Sequence, residues 1–200
     1  MKKIFLIIFL ILGLVSCSVY ESFVNLSRLE FKLGNINGFQ INGINISNKS
    51  KISDFSLQDA LSLTSIFTNG NFPVSFTLNV QAKNPNDGTG GYKKTDATLK
   101  SFPWRLLIDN KETISGNIDS PVTIPGTGGV TNIPITIQMD LVKYFNDQGY
   151  ESLINLALTL GGKEGSSSRL TLYANPVVSS PFGDISYPGE LKIVDTKFTR

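Results

Sequence analysis

From Phe72 to Lys83 the chain alternates. Phe72, Val74, Phe76, Leu78, Val80 and Ala82 share one parity; Ser75, Thr77, Asn79, Gln81 and Lys83 share the other. A period of two predicts a strand with one buried face and one wet face. The run ends in Asn84-Pro85-Asn86-Asp87-Gly88, a dense turn signal. Shorter alternations recur: Leu29–Leu33, Trp104–Ile108, Glu112–Ile118 and Leu170–Ala174. Asp109-Asn110-Lys111 reads as the turn of a hairpin. Ile133, Ile135, Ile137, Met139 and Leu141 alternate as well, and Pro134 inside that run argues for an edge strand or a bulge. Between Gly38 and Ile46 the apolar parity switches at Asn42-Gly43, which fits either a tight hairpin turn or a bulge.

Two stretches change to helical spacing. Ser56-Leu57-Gln58-Asp59 fits a capping box. Leu57, Ala60, Leu61, Thr64 and Phe67 then recur on one face, and Asn69-Gly70 makes a stop, so a helix is expected over 56–68. A second is expected over 141–160, with a break at Gly149. Gly161–Ser168 and Pro176–Pro188 read as loops. Short alternating strands between Gly, Pro and Asn turns predict a mainly β protein: an antiparallel β-sandwich with one or two added helices.

The chain opens differently. Lys2 and Lys3 precede an unbroken apolar run from Ile4 to Leu12, followed by Leu14-Val15-Ser16-Cys17. A basic start, a short apolar run and small residues at a cut site describe an export signal. The run is shorter than the roughly 20 residues of a membrane span. Leu-Val-Ser-Cys resembles the bacterial lipoprotein box, in which the cysteine is acylated and becomes the first residue of the mature protein. That resemblance implies a signal peptide over 1–16, a lipidated tether over 17–28, and a single domain over 29–200. Cys17 is the lipid attachment residue on this reading, and it is the only cysteine in the chain. Acylation would also remove a free thiol from an exported protein. Stable anchoring takes about two chains, each buried CH₂ adding about 0.8 kcal/mol. Ser18 is not the aspartate associated with inner-membrane retention, which favours the outer membrane of a bacterial envelope.

Composition narrows the chemistry. Removing the signal takes two of the 18 Lys and Arg residues and leaves 16 against 16 Asp and Glu. A balanced chain without a basic stripe gives no case for nucleic acid. There is no histidine and no cysteine beyond Cys17. Ser-His-Asp and Cys-His arrangements therefore cannot be built, and zinc, copper and haem lose their usual ligands. No intrachain disulfide can form, so the domain stands on packing. The expectation is a non-enzymatic protein without metal or cofactor.

Phe76-Thr77-Leu78-Asn79-Val80-Gln81-Ala82-Lys83 followed by Asn84-Pro85-Asn86 resembles the type 2 late embryogenesis abundant family, also called the water-stress and hypersensitive-response domain. The likeness continues through Trp104–Gly116 and a Pro-Gly loop into an alternating strand, Val122–Leu141. Asp87–Gly91 and the long second helix depart from the minimal pattern. The resemblance implies a fibronectin-III/immunoglobulin-like β-sandwich and a stress- or desiccation-associated role, binding or shielding proteins or membrane. Alternatives are a periplasmic lipid or small-molecule carrier, and an assembly or adhesin subunit using an exposed strand edge. In Asn84-Pro85-Asn86 the asparagines suit turn capping and the proline stops the strand. The competing reading is a ligand or ion site with Asp87 adding a carboxylate. Trp104, Tyr173 and Tyr187 read as packing residues.

Overall fold

The computed structural model describes residues 24–161, 169–180 and 183–199. The signal stretch, Cys17 and the start of the tether lie outside the described residues, as does most of the 161–168 loop.

In chain order the strands begin with β1 (Glu30–Ile41), β2 (Ile44–Asn45), β3 (Pro73–Lys83) and β4 (Ala97–Ser101). β5 (Trp104–Ile108), β6 (Lys111–Gly116), β7 (Val122–Ile124) and β8 (Val130–Asp140) follow. The last four are β9 (Leu170–Ala174), β10 (Val177–Ser180), β11 (Gly183–Ser186) and β12 (Leu191–Ile193). Among the described residues, helices α1 (Leu57–Thr68), α2 (Leu141–Tyr144) and α3 (Tyr150–Gly161) accompany them.

Among the described residues the strands form three antiparallel sheets, ordered β2-β1-β3-β8, β11-β10-β4-β7 and β12-β9-β5-β6. The strong alternation of β3 explains its central place. Every second residue is buried, and β3 pairs without irregularity along β8, from Pro73 opposite Asp140 to Lys83 opposite Val130. β8 is an edge strand, which is where Pro134, opposite Asn79, can lack an N–H. The two short β1 segments expected from sequence are one strand with register shifts between Leu33 and Ile36 and between Asn37 and Gln40. Such bulges let the apolar parity restart without ending the strand. Where β2 does not reach, the start of that edge of β1 is met by residues 194–199: Leu33 N–H donates to Val194 O (3.0 Å) and Thr199 N–H to Phe31 O (2.9 Å).

Two tight turns show their chemistry plainly. Asn42-Gly43 joins β1 to β2, with Ile41 opposite Ile44 and positive φ at both turn residues. Asp109-Asn110 does the same between Ile108 and Lys111. Two successive left-handed residues are what a two-residue hairpin of matching twist needs, and Asn, Asp and Gly tolerate them best. Asn42-Gly43 is thus a hairpin turn, not a bulge.

Helix α1 starts with the expected capping box: Asp59 N–H donates to Ser56 Oγ (3.1 Å), and Ser56 N–H donates to Asp59 Oδ2 (3.2 Å). Its buried face corrects the sequence reading. Leu63 is fully buried, with Ile66 and Phe67 packed beside it, whereas Leu57 and Leu61 are 78% and 64% exposed. The expected second helix is two helices, α2 and α3, separated at residues 145–149. Asp140 caps the first, accepting from Val142 N–H (3.0 Å) and also from Phe72 N–H (2.7 Å). α3 buries Leu153, Ile154, Ala157 and Leu160 against β1. Its last residue, Gly161, lies so near Phe39 that an added Cβ would sit 2.5 Å from Cγ of that ring. Phe39 stacks on Phe76 at 4.8 Å between ring centroids, tying helix to sheet.

Three further readings are corrected. The 176–188 stretch holds the β10–β11 hairpin, in which Val178 pairs with Ile185. Val122–Leu141 is two strands in different sheets. The end of the expected tether belongs to the packed domain: residues 24–27 form a helical turn, and Leu26 is only 2% exposed.

Candidate functional site

The core-facing parity of β3 does not stop at Ala82. It carries on through Asn84 and Asn86, which are 0% and 1% exposed. A polar side chain on that parity must find partners or leave a desolvated group. Asn84 finds three. Its Nδ2 donates to Thr95 O (2.9 Å) and Ile124 O (3.0 Å), and its Oδ1 accepts from Asn86 N–H (3.1 Å). The backbone repeats the connection: Thr95 N–H donates to Asn86 O (3.0 Å), and Gly128 N–H to Asn84 O (3.1 Å). The turn after β3 is therefore bound to the start of β4 and the end of β7. Asn84 joins the sheet containing β3 to the sheet containing β4 and β7.

Pro85 prevents continuation of the ladder, and its carbonyl accepts from Asp87 N–H (3.0 Å) and more loosely from Arg28 Nη2 (3.5 Å). Arg28 lies over the Tyr92 ring, 3.5 Å from its centroid. Asp87 folds back on its own loop. Its Oδ1 accepts from Thr89 Oγ1 (2.7 Å) and Thr89 N–H (2.9 Å), and the Thr89 hydroxyl chiefly holds the carboxyl below its usual range. It does not join the two asparagines in a common site. Among the described residues no group of three or more His, Cys, Asp or Glu side chains could hold a metal ion.

Asn86 differs from Asn84. Its Nδ2 donates to Asn25 O (3.2 Å), but among the described residues no donor reaches its buried Oδ1. Asn86 also lines a cavity of about 270 Å³. Leu26, Ala97, Val178 and Ile185 form its apolar walls; Asn86, Asp96 and Ser179 are among its polar groups. Asp96 is fixed at the rim, its Oδ1 accepting from Gly126 N–H (2.8 Å). No local sequence signal pointed to this cavity, because its walls come from residues 25–26, 86, 95–97, 178–180 and 185. Asn84 and Asn86 did carry a signal: two amides extending a strictly apolar parity.

The remaining aromatic candidates are structural. Trp104 is buried on β5 opposite Gly116. Tyr173 carries Arg105 over its ring at 4.2 Å, and Tyr187 packs against the core. A larger cleft of about 500 Å³ lies between the Asp109 turn and the α2–α3 region, and polar side chains such as Asp109, Lys111, Asp147, Gln148, Asn155 and Arg169 dominate its lining.

No protein-family model matches the chain, and no curated protein matches it. Among solved structures, it is similar to the solution structure of a candidate late embryogenesis abundant protein at 14% identity, covering 98% of this chain and 88% of the other, TM-score 0.36. It is also similar to a crystal structure of a protein from Archaeoglobus fulgidus at 6% identity, covering 84% and 94%, TM-score 0.36. An X-ray structure of a structural-genomics target matches at 10% identity, covering 86% and 89%, TM-score 0.38. Likenesses this loose carry no argument about activity. The class that the strands themselves define is a mainly β, antiparallel sandwich with added helices.

Proposed function

We propose that this chain is a lipid-anchored, non-enzymatic protein of a bacterial envelope. Its type 2 late embryogenesis abundant-like sandwich binds or shields proteins or the membrane surface under stress. The observation that carries the reading is the placement of Cys17. It is the sole cysteine and closes a short export signal. Leu26, already in the core, follows nine residues later. At 3.3–3.6 Å per residue that is at most about 30 Å of chain, so an acylated Cys17 would hold the sandwich close to the bilayer. Among the described residues no helix is long and apolar enough to cross a membrane, so attachment on this reading rests on the lipid. The polar lining of the cleft beside α2 and α3 favours shielding over an acyl-chain carrier in that position.

The test has two arms. The full chain and Cys17→Ser are produced in a bacterium and fractionated. The reading expects the native chain in the membrane fraction, and the variant released from it or retained as unprocessed precursor. A variant that is processed and stays membrane-bound contradicts the anchor. The mature protein is then dried with a labile test enzyme. Protection no better than that given by an inert β-sandwich protein contradicts the shielding role.

A further inference from the structure

We infer, resting on the reading of Cys17 as the anchor, that the end of the sandwich bearing Tyr92, Lys93, Lys94 and Val130 docks on anionic lipid headgroups of the bilayer that holds the tether. Among the described residues the exposed large hydrophobic side chains are Leu57, Leu61, Tyr92 and Val130. Tyr92 and Val130 stand where the chain enters the domain. The Arg28 guanidinium lies 3.5 Å from the centroid of the Tyr92 ring. Val130 is opposite Lys83, and Lys83 is opposite Glu30, so Val130 is level with the first residue of β1. The loops between them are joined: Asn86 Nδ2 donates to Asn25 O, and Gly128 N–H donates to Asn84 O. Leu57 and Leu61 belong to α1, which leads into β3 at its opposite end. The 11 residues of β3 span about 35 Å.

The surroundings set the partner's chemistry. Two loops of identical sequence, Gly-Thr-Gly-Gly at 88–91 and again at 126–129, flank these residues. Their small side chains leave Tyr92, Lys93 and Lys94 as the largest exposed groups between Asp87 and Lys94. Among the described residues neither lysine forms an ion pair. The nearby acids are engaged, Asp87 with Thr89 and Asp96 with Gly126 N–H. They keep their charge, so Arg28, Lys83, Lys93 and Lys94 against Glu30, Asp87 and Asp96 leave this end only slightly positive. The tether therefore supplies the attachment, and this face supplies the orientation. Each basic side chain near an anionic surface favours the bound state by about fivefold. A tyrosine ring suits the headgroup level, with its apolar body inward and its hydroxyl in water. The nine residues from Cys17 to Leu26 reach at most about 30 Å, so the entry end is the part of the domain held nearest the bilayer.

The test places the full chain on nanodiscs of phosphatidylcholine, alone or mixed with phosphatidylglycerol, held by its own lipid. A chain that proves unacylated is coupled instead through its sole thiol, Cys17, to a maleimide-headgroup lipid, which tests the surface apart from the acylation. A gadolinium chelate carried on a lipid headgroup relaxes nearby methyl groups. NMR reads this at Val130, at Leu57 and Leu61, and at Val142, beside Asp140 at the other end of β8. The expected result is stronger relaxation at Val130 than at the other three, with the contrast greater on anionic discs. Lys93→Glu combined with Lys94→Glu should lower the ratio of docked to free domain on those discs by about tenfold or more, while the spectrum in detergent keeps its folded pattern. Equal relaxation at all four residues, stronger relaxation at Leu57 and Leu61, or a double variant that docks as well as the native chain would overturn the assignment.

Discussion

Asn84 gives the sharpest stability prediction. Replacing it with alanine strips partners from Thr95 O, Ile124 O and Asn86 N–H at once. Each buried group left unsatisfied costs about 1–3 kcal/mol. Thr95 is only half-buried, so water can recover part of its share, and Asn84→Ala should cost about 3–5 kcal/mol. Asn84→Asp is the more diagnostic change because it keeps the shape. Its carboxylate would face two carbonyl oxygens from a fully buried position, which favours the protonated form and raises the folded-state pKa above the unfolded value of about 3.9. A raised carboxyl pKa leaves the variant least penalised below the unfolded pKa. The penalty then grows as pH rises, until the folded pKa is passed. A folded-state pKa of about 6–7 would mean about 2–3 kcal/mol lost between pH 4 and neutrality. The assay is urea unfolding of the chain from residue 19 onward, followed by Trp104 fluorescence and far-UV circular dichroism, for wild type and both variants from pH 4 to 7. An alanine cost below about 1 kcal/mol, or an aspartate cost that does not change with pH, would refute the three-bond geometry.

The packing sets four more expectations. Gly126→Ala should destabilise the same turn by about 2–4 kcal/mol, because the new Cβ would meet Asn86 O and lie 2.6 Å from Thr95 O, both rigid backbone atoms; chemical denaturation measures it. Gly116→Ala would place its Cβ 2.6 Å from Cζ2 of Trp104, so the emission of the sole tryptophan should shift along with a loss of about 1–3 kcal/mol. On α1, Leu61→Gln should fall within about 0.5 kcal/mol of neutral while Leu63→Ala costs about 2–5 kcal/mol, a contrast that reverses if the helix buries the face expected from sequence. Glu190 is held below the usual carboxylate range, chiefly by its hydrogen bond from Arg105, so this pair stabilises the fold above the unfolded Glu value and loses its effect as pH falls through the depressed one. Arg105→Ala should flatten that small acid-side dependence in thermal melts, small because both side chains are partly exposed.

Much of this fold is legible in the sequence where a local signal is strong. β3 is marked by its unbroken alternation, the α1 start by Ser56 and Asp59, and the β5–β6 turn by Asp109-Asn110. What stays hidden depends on distant partners. β4, β10 and β11 are short and take their places from pairing with one another, so no periodicity announces them. The buried face of α1 departs from expectation because Leu57 and Leu61 share helical spacing with residues that do face the core, and spacing cannot say which stripe meets the sheet. The candidate cavity is hidden for the same reason. Asn86 is visible as an amide on an apolar parity, but Asp96, Val178 and Ile185 are brought to it only by the assembled sheets.

Everything proposed about location turns on Cys17 carrying the lipid that holds this sandwich at a bacterial membrane. The most direct measurement is the mass of the N-terminal peptide of the full-length chain after expression in a bacterium with a lipoprotein-processing pathway. A mature terminus at Cys17, with its thiol and amine carrying acyl groups, is the expected result. An uncut Met1 terminus, or cleavage elsewhere with Cys17 as a free thiol, would contradict it.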